Sequence, residues 1–120
     1  MRLIIAGSRH LTVGAREVAW LIENIAAGQL EQDITEIVSG RSGKVDLAGE
    51  VYARLCGLPV ELFPYPSEYG RRGGPIRNRR MGAYADGALI LWDGKSRGAA
   101  DMARVILGLE KPLWLFTYPS

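Results

Sequence analysis

Several features that would place a protein in a special class are scarce in this 120-residue sequence. It contains one cysteine, Cys56, so it forms neither an internal disulfide nor a cysteine-based zinc site. No apolar run approaches the roughly 20 residues of a membrane-spanning helix, and the apolar start of the chain ends too early for a signal peptide. We therefore expect a cytoplasmic protein with no membrane partner, in which Cys56 is a small buried apolar side chain.

An excess of charge is also missing. Fifteen basic and 13 acidic side chains give a formal net charge of +2, which is too balanced for a general nucleic-acid-binding protein. The type of basic residue is more informative, because 12 of the 15 are arginine and five of these lie in the segment from Arg71 to Arg80. Arginine binds phosphate and carboxylate groups with two parallel hydrogen bonds. The composition therefore favours a local anion-binding site.

Short apolar runs alternate with amphipathic segments along the whole chain. The runs cover residues 3–6, 34–38, 59–63, 88–92 and 113–116. Between them, apolar side chains recur at helical spacing, first at Val18, Leu21, Ile22 and Ile25, then at Leu47, Val51 and Leu55, and last at Met102, Val105, Ile106 and Leu109. A fourth helix is expected from about Pro75 to about Tyr84. This alternation predicts a single α/β domain with a mainly parallel five-stranded sheet and helices on both faces.

The loops that follow the predicted strands carry small residues together with arginine and lysine. In an open parallel sheet, ligands bind beyond the carboxyl ends of the strands. Glycine lets the backbone approach a phosphate, serine adds a hydroxyl, and helix N-termini offer free N–H groups. Neither the Walker spacing nor the dinucleotide-binding glycine pattern is present. The candidate phosphate-binding residues are Gly7, Ser8, Arg9, Gly40, Arg41, Ser42, Lys44, Gly94, Lys95, Ser96, Arg97 and Gly98.

The segment 73–81 is the most informative part of the sequence. The helix predicted there begins with two glycines and a proline. A helix that only faces solvent does not need these residues at its start. We expect Arg77 and Asn78 to face the ligand crevice, with the other arginines of the segment peripheral. A solvated basic face is the alternative.

Other residues near these loops admit two interpretations each. Asp46 either favours the positive end of its helix or contacts a ribose hydroxyl. His10 is expected to be solvated. Tyr65, Tyr69 and Trp92 either stack on a base or cap the core.

In their order, these motifs resemble the SLOG superfamily, and within it the small single-domain YspA-like (YAcAr) branch. The resemblance implies a Rossmann-like three-layer sandwich that binds a nucleotide or a nucleotide-derived small molecule without a further cofactor or metal. It also implies a homo-oligomer, because the related LOG proteins form dimers. The matching pieces are 7–9, 39–40, 45–46, 49–50, 70–71, 74–78, Met81 and 93–98.

LOG proteins cleave the N-glycosidic bond of nucleoside monophosphates, and by this resemblance Arg77 corresponds to one of their catalytic residues. Met102 falls where their catalytic glutamate stands, and Ala99 replaces a usual threonine. Arg41 and Lys44 occupy positions that usually hold glycine. Hydrolysis at a ribose needs a poised carboxylate. For an enzyme we therefore name Arg77 as the anchor and Asp93 or Asp101 as the acid or base.

Three functions follow from the sequence. The first is a binding module for a nucleotide-derived small molecule, acting as a sensor or sequestering protein. The second is a hydrolase of a nucleotide N-glycosidic or phosphoester bond. The third is a domain that binds nucleic acid or a protein partner through the basic segment Arg71 to Arg80.

Overall fold

The computed structural model of the protein describes residues 1–119 and confirms the α/β architecture. The strands are β1 (Arg2–Gly7), β2 (Glu36–Ser39), β3 (Val60–Leu62), β4 (Gly87–Trp92) and β5 (Leu113–Thr117). The helices are α1 (Ala15–Asn24), α2 (Gln29–Asp33), α3 (Lys44–Cys56), α4 (Gly73–Tyr84) and α5 (Arg97–Gly108). Two short 3₁₀ segments cover Ile25–Gly28 and Ser67–Arg72. The short helix α2 and the 3₁₀ segments were not predicted from the sequence.

All five strands form one parallel sheet in the order β3-β2-β1-β4-β5. The central strand β1 pairs with β2 on one side, where Leu3 is opposite Ile37, and with β4 on the other, where Ile5 is opposite Leu89. The chain therefore builds the sheet outwards in one direction through β3 and then returns to continue beyond β1 in the other. The predicted parallel sheet is confirmed, and it is parallel throughout.

Helices cover both faces of the sheet, as in a Rossmann-like three-layer sandwich. Successive side chains of a strand point to opposite faces, so Leu3 and Ile5 join the core beneath α1 and α3, whereas Ile4 joins the core beneath α4 and α5. All three are fully buried. With both faces covered, the strands need continuous apolar sequences, which is the pattern that predicted them.

Helix α3 meets the sheet through a face that the sequence did not indicate. The large apolar residues Leu47, Val51 and Leu55 are 47%, 39% and 77% exposed. The buried face carries Val45 and Tyr52 together with the small residues Ala48, Gly49 and Ala53. An added Cβ on Gly49 would lie 2.8 Å from Cβ of Ile5. Small side chains let the helix axis approach the sheet closely, so residue size alone is a poor guide to its orientation. The expectation that Cys56 is buried was also wrong, because this residue is exposed at the end of α3.

Helices α4 and α5 pack tightly against each other. An added Cβ on Gly82 would lie 2.5 Å from a methyl carbon of Val105. Ile106 is fully buried against the sheet, so this face of α5 serves the core of one molecule, and dimer formation stays a prediction. In the part of the chain that the structure describes, no helix combines the length and the apolar character needed to cross a membrane.

Candidate functional site

A cleft of about 760 Å³ lies at the carboxyl end of the sheet. It is bounded by the loops after β1, β2 and β4, by α4, and by the first turns of α5. Strands β1 and β4 are neighbours from which the chain leaves in opposite directions, and this topological switch point is where open parallel sheets bind ligands. The predicted residues that line the cleft are Gly7, Ser8, Arg9, Gly40, Ser42, Asp46, Arg77, Asn78, Lys95, Ser96, Arg97, Gly98 and Asp101.

Four of the predicted residues do not line this cleft: Arg41, Lys44, Asp93 and Gly94. Gly94 has a φ of +82°, a backbone conformation that glycine adopts without strain, so its role is to form the turn after β4. Lys44 is exposed at the first position of α3.

Arg41 points away from the cleft because it pairs with Glu50. Its Nη2 donates to Oε1 of Glu50 at 2.8 Å, and its Nε donates to Oε2 at 3.3 Å. The same Oε2 accepts a hydrogen bond of 2.7 Å from the hydroxyl of Ser39. The Arg41 guanidinium lowers the pKa of Glu50. The positive charge of Arg41 is therefore engaged by Glu50 at the protein surface rather than in the cleft.

Ser8 joins the loop after β1 to the loop after β4. It is 2% exposed, and its hydroxyl accepts a hydrogen bond of 2.9 Å from the backbone N–H of Asp93. The hydroxyl of Ser96 lies 2.5 Å from that of Ser8. Ser8 therefore holds the two loops at the switch point in register, and its hydroxyl is already bonded within the protein.

Asp93 organises the turn that leads into α5. Its Oδ1 accepts hydrogen bonds of 2.8 Å from the backbone N–H groups of Ser96 and Lys95. These two N–H groups lower the pKa of Asp93 to about 2. The carboxyl group is thus ionised throughout the neutral range and engaged within its own loop, so it is not positioned to act as a general acid in the cleft.

Arg77 reaches into the cleft from α4, as the sequence predicted. Its Nη1 donates to the carbonyl of Gly40 at 3.3 Å, and its guanidinium carbon lies 5.7 Å from the centre of the Tyr65 ring. Burial lowers the pKa of this guanidinium from its ordinary value, but an arginine stays charged at neutral pH. An added Cβ on Gly40 would lie 3.2 Å from Nε of Arg77. The absence of a side chain at Gly40 therefore makes room for the guanidinium.

Asp46 is a buried carboxyl group at the first turn of α3, with 2% exposure. Its Oδ2 accepts hydrogen bonds of 3.1 Å from both the backbone N–H and the hydroxyl of Ser42. Burial raises the pKa of Asp46, while the Ser42 hydrogen bonds and the charge of Arg77 oppose that rise. Asp46 lines the same cleft as Arg77.

Two buried side-chain atoms in the described residues lack a hydrogen-bond partner, and both belong to this cleft. They are Oδ1 of Asp46 and Nε of Arg77. A buried polar atom without a partner costs about 1–3 kcal/mol, so nearly all such atoms in folded proteins are paired. Both atoms belong to residues of the same cleft wall, so this part of the cleft is a candidate for a ligand contact.

Asn78 fixes the position of α5 relative to α4. Its side-chain nitrogen donates to Oδ2 of Asp101 at 2.9 Å and to the carbonyl of Gly98 at 3.2 Å. Asn78 is 5% exposed. The amide therefore holds the N-terminal turn of α5, which forms one wall of the cleft, and it also orients the carboxyl group of Asp101.

Several cleft residues were given no binding role from the sequence. Arg104 lies two turns into α5, and no loop motif pointed to it. His10 was interpreted as solvated, and Tyr65 and Trp92 were left open between stacking and the core. Tyr69, the third of these aromatic residues, lies outside the cleft. The guanidinium carbon of Arg80 is 5.6 Å from the centre of its ring. Helical spacing could have indicated Arg104. It lies seven residues after Arg97, the first residue of α5, so the two arginines share one face of the helix.

The cleft is strongly positive. Its arginine and lysine side chains outnumber its carboxyl groups by five to two, and all of these cations except Arg77 are exposed. The remaining arginines of the basic segment, Arg71, Arg72, Arg79 and Arg80, are exposed outside it. The site is therefore suited to an anionic ligand. Residues 1–119 contain no group of three His, Cys, Asp or Glu side chains arranged to hold a metal ion.

The chain was compared with known proteins. No family model matches it. A search of curated proteins also finds no match.

Proposed function

We propose that this protein binds a nucleotide or a nucleotide-derived small molecule in the cleft, with the phosphate groups held by its cationic wall. The observation that carries the proposal is the concentration of five arginine and lysine side chains at the switch point of a parallel sheet. Such clefts are the usual ligand sites of this architecture, and a volume of about 760 Å³ suits a ligand of nucleotide size.

The first turn of α5 supplies a place for a phosphate. The N–H groups at the start of a helix have no acceptor within it and carry partial positive charge. No side chain caps this helix at Ser96. Gly98 adds no side chain, and an added Cβ there would have no atom within 4 Å, so the backbone is open to an approaching anion.

Arg77 and the aromatic residues supply the other contacts. The guanidinium of Arg77 is half-buried and retains donors that can form two parallel hydrogen bonds to a phosphate or a carboxylate. Tyr65 and Trp92 line the same cleft and are the aromatic residues closest to a base bound there. This combination of a fixed anion clamp and flat apolar surfaces favours a nucleotide over a simple inorganic anion. Membership of the SLOG superfamily is part of the same proposal.

Binding is favoured over hydrolysis by the state of the carboxyl groups. Asp93 is engaged in its loop, and Met102, at the position of the LOG glutamate, is 2% exposed and has no acid or base chemistry. Asp101 remains in the cleft with Asn78 donating to it, so a hydrolase that uses Asp101 is the second candidate. Nucleic-acid binding through the basic segment, a dimer and a cytoplasmic location stay predictions.

The test is a ligand panel followed by identification of what is recovered. Purified protein is mixed with nucleoside monophosphates, ADP-ribose, cyclic mononucleotides and dinucleotides, with inorganic phosphate as the control. A ligand at about 100 times its Kd adds about 2.7 kcal/mol to the stability, which raises the Tm of a domain of this size by several degrees. Each bound ligand is then identified by mass spectrometry after the protein is denatured.

Three outcomes separate the candidates. An increase in Tm with a nucleotide that is recovered intact supports the binding function. A nucleotide recovered as free base and sugar phosphate establishes the hydrolase. An increase no larger than that given by inorganic phosphate, for every nucleotide tested, contradicts the proposed function.

A further inference from the structure

Asp46 presents one carboxyl oxygen that no donor in the described structure satisfies. The side chain cannot turn freely, because the N–H and the hydroxyl of Ser42 both hold Oδ2 at 3.1 Å. Oδ1 is left buried without a partner, in a residue that lines the cleft. The arrangement therefore offers a fixed hydrogen-bond acceptor, whereas most of the other charged groups of the cleft are donors.

The unpaired acceptor lies in the same region as an unpaired donor. Nε of Arg77 is also buried without a partner, and the charges of Arg77 and Asp46 influence each other although no hydrogen bond joins them. A ligand group that carries a hydroxyl donor close to an anionic oxygen would satisfy both atoms. In a nucleotide, the sugar carries hydroxyl groups and is also the part to which the phosphate is attached.

We propose that Oδ1 of Asp46 accepts a hydrogen bond from a ribose hydroxyl of the bound nucleotide, so that the cleft selects ribonucleotides over deoxyribonucleotides. This inference rests on the proposed function and adds the identity of the sugar to it. A ribose contact is favoured over a base contact because the ribose carries its hydroxyl donors next to the phosphate, and Asp46 lies in the first turn of α3 at the wall of the cleft. It also adjoins the loop 40–42 and Arg77, which form the proposed phosphate-binding wall.

Selectivity follows because an analogue without the hydroxyl leaves the acceptor unpaired. A site built around a polar contact rejects a ligand that lacks the matching group far more strongly than an apolar pocket rejects a missing methylene. We expect the loss of the relevant hydroxyl to raise the Kd about tenfold or more.

The experiment measures the Kd of AMP, GMP, CMP and UMP and of their 2′-deoxy and 3′-deoxy counterparts. IMP is included beside GMP to detect recognition of the base edge. The proteins are the unaltered chain, the near-isosteric variant Asp46→Asn, and the control Asp33→Asn, which removes one negative charge at an exposed position outside the cleft. Circular dichroism establishes that each variant is folded. The comparison of sugars in the unaltered chain does not depend on any variant.

The proposal expects at least one deoxy analogue to bind about tenfold or more weakly than its ribonucleotide in the unaltered chain and in Asp33→Asn. In Asp46→Asn, the ribonucleotide should weaken, and the ratio between the two sugars should fall to within about twofold. Equal binding of ribose and deoxyribose forms overturns the inference but leaves the proposed function standing. A ratio that persists in Asp46→Asn, or an effect of this variant on GMP against IMP alone, also overturns it. Binding of no nucleotide, either in this series or in the wider panel described above, contradicts both.

Discussion

Replacement of Arg77 by methionine is the sharpest test of the site. Methionine keeps a long apolar stem and removes the guanidinium. The fold loses the 3.3 Å hydrogen bond to the carbonyl of Gly40 and the contact with the ring of Tyr65, each worth about 0.5–1 kcal/mol. It also loses the buried Nε that has no partner, and removing such an atom recovers about 1–3 kcal/mol. These contributions oppose each other, so we expect the free energy of unfolding to change by no more than about 2 kcal/mol.

The expected effect on binding is a clear loss of affinity, whereas the effect on stability is a difference between opposing contributions. A hydrogen-bonded contact between an arginine and a phosphate contributes about 1.5–3 kcal/mol, which corresponds to about a 10- to 150-fold increase in Kd. Arg77→Lys keeps the charge but loses the planar pair of donors, so its Kd should lie between those of the unaltered chain and Arg77→Met. By contrast, a change of about 1 kcal/mol in stability moves the Tm by only about 4 °C.

The assay is isothermal titration with the nucleotide that raises the Tm most, at constant pH and salt. The matched control is Arg79→Met, which removes the same group from an exposed position on the same helix, outside the cleft. Its Kd should stay within about twofold, because exposed charges contribute little. The reasoning is refuted if Arg77→Met binds as tightly as the unaltered chain, or if Arg79→Met loses as much affinity as Arg77→Met.

Three further predictions concern stability and are measured by denaturant unfolding. Gly82→Ala should destabilise the protein by about 1–3 kcal/mol, because its Cβ would meet Val105 at 2.5 Å. The control Gly108→Ala should be neutral or stabilising, because an added Cβ there has no atom within 4 Å. Equal effects of the two substitutions on stability would contradict the packing argument. Lys111→Met should cost about 1–3 kcal/mol, since Nζ of Lys111 donates to the carbonyls of Gly82 and Ala85 at 2.7 Å at the end of α4; an unchanged midpoint would show that this cap is dispensable. The pKa of Asp93 is lowered from 3.8 to about 2 by backbone N–H groups, so its ionised form stabilises the fold above about pH 4 and this contribution is lost as the pH falls towards 2. The stability difference between the unaltered chain and Asp93→Asn should therefore narrow over that range, and a difference independent of pH would contradict the assignment.

The position of the cleft was predictable because it depends on topology. Parallel strands bring their carboxyl ends to one edge, so loops far apart in the sequence, after β1, β2 and β4, had to meet there. Arg77 and Asn78 both line the cleft, and Asn78 bonds to Asp101 and Gly98 within the protein, so their role in binding a ligand stays a prediction. The sequence had no means of showing that this amide is engaged, because its partners lie 20 and 23 residues away.

The outward direction of Arg41 shows where loop motifs mislead. A basic residue beside glycines predicts a phosphate contact. In the structure, however, the Arg41 guanidinium donates hydrogen bonds of 2.8 and 3.3 Å to Glu50, nine residues further along the chain. Asp93 is a similar case, since its carboxyl group is engaged by the N–H groups of its own loop. Each side chain was of the correct chemical type for the site. Its availability depended on which neighbour it bonded.

The sequence by itself determined the alternation of strands and helices, the parallel sheet and the edge at which the cleft lies. These properties follow from apolar periodicity and chain connectivity, which are local or topological. Only the tertiary structure decided which face of α3 is buried, where Gly49 rather than Leu55 meets the sheet, and which polar groups remain free. Close packing and hydrogen-bond pairing depend on distances between segments remote in the chain, and those distances exist only once the chain has folded.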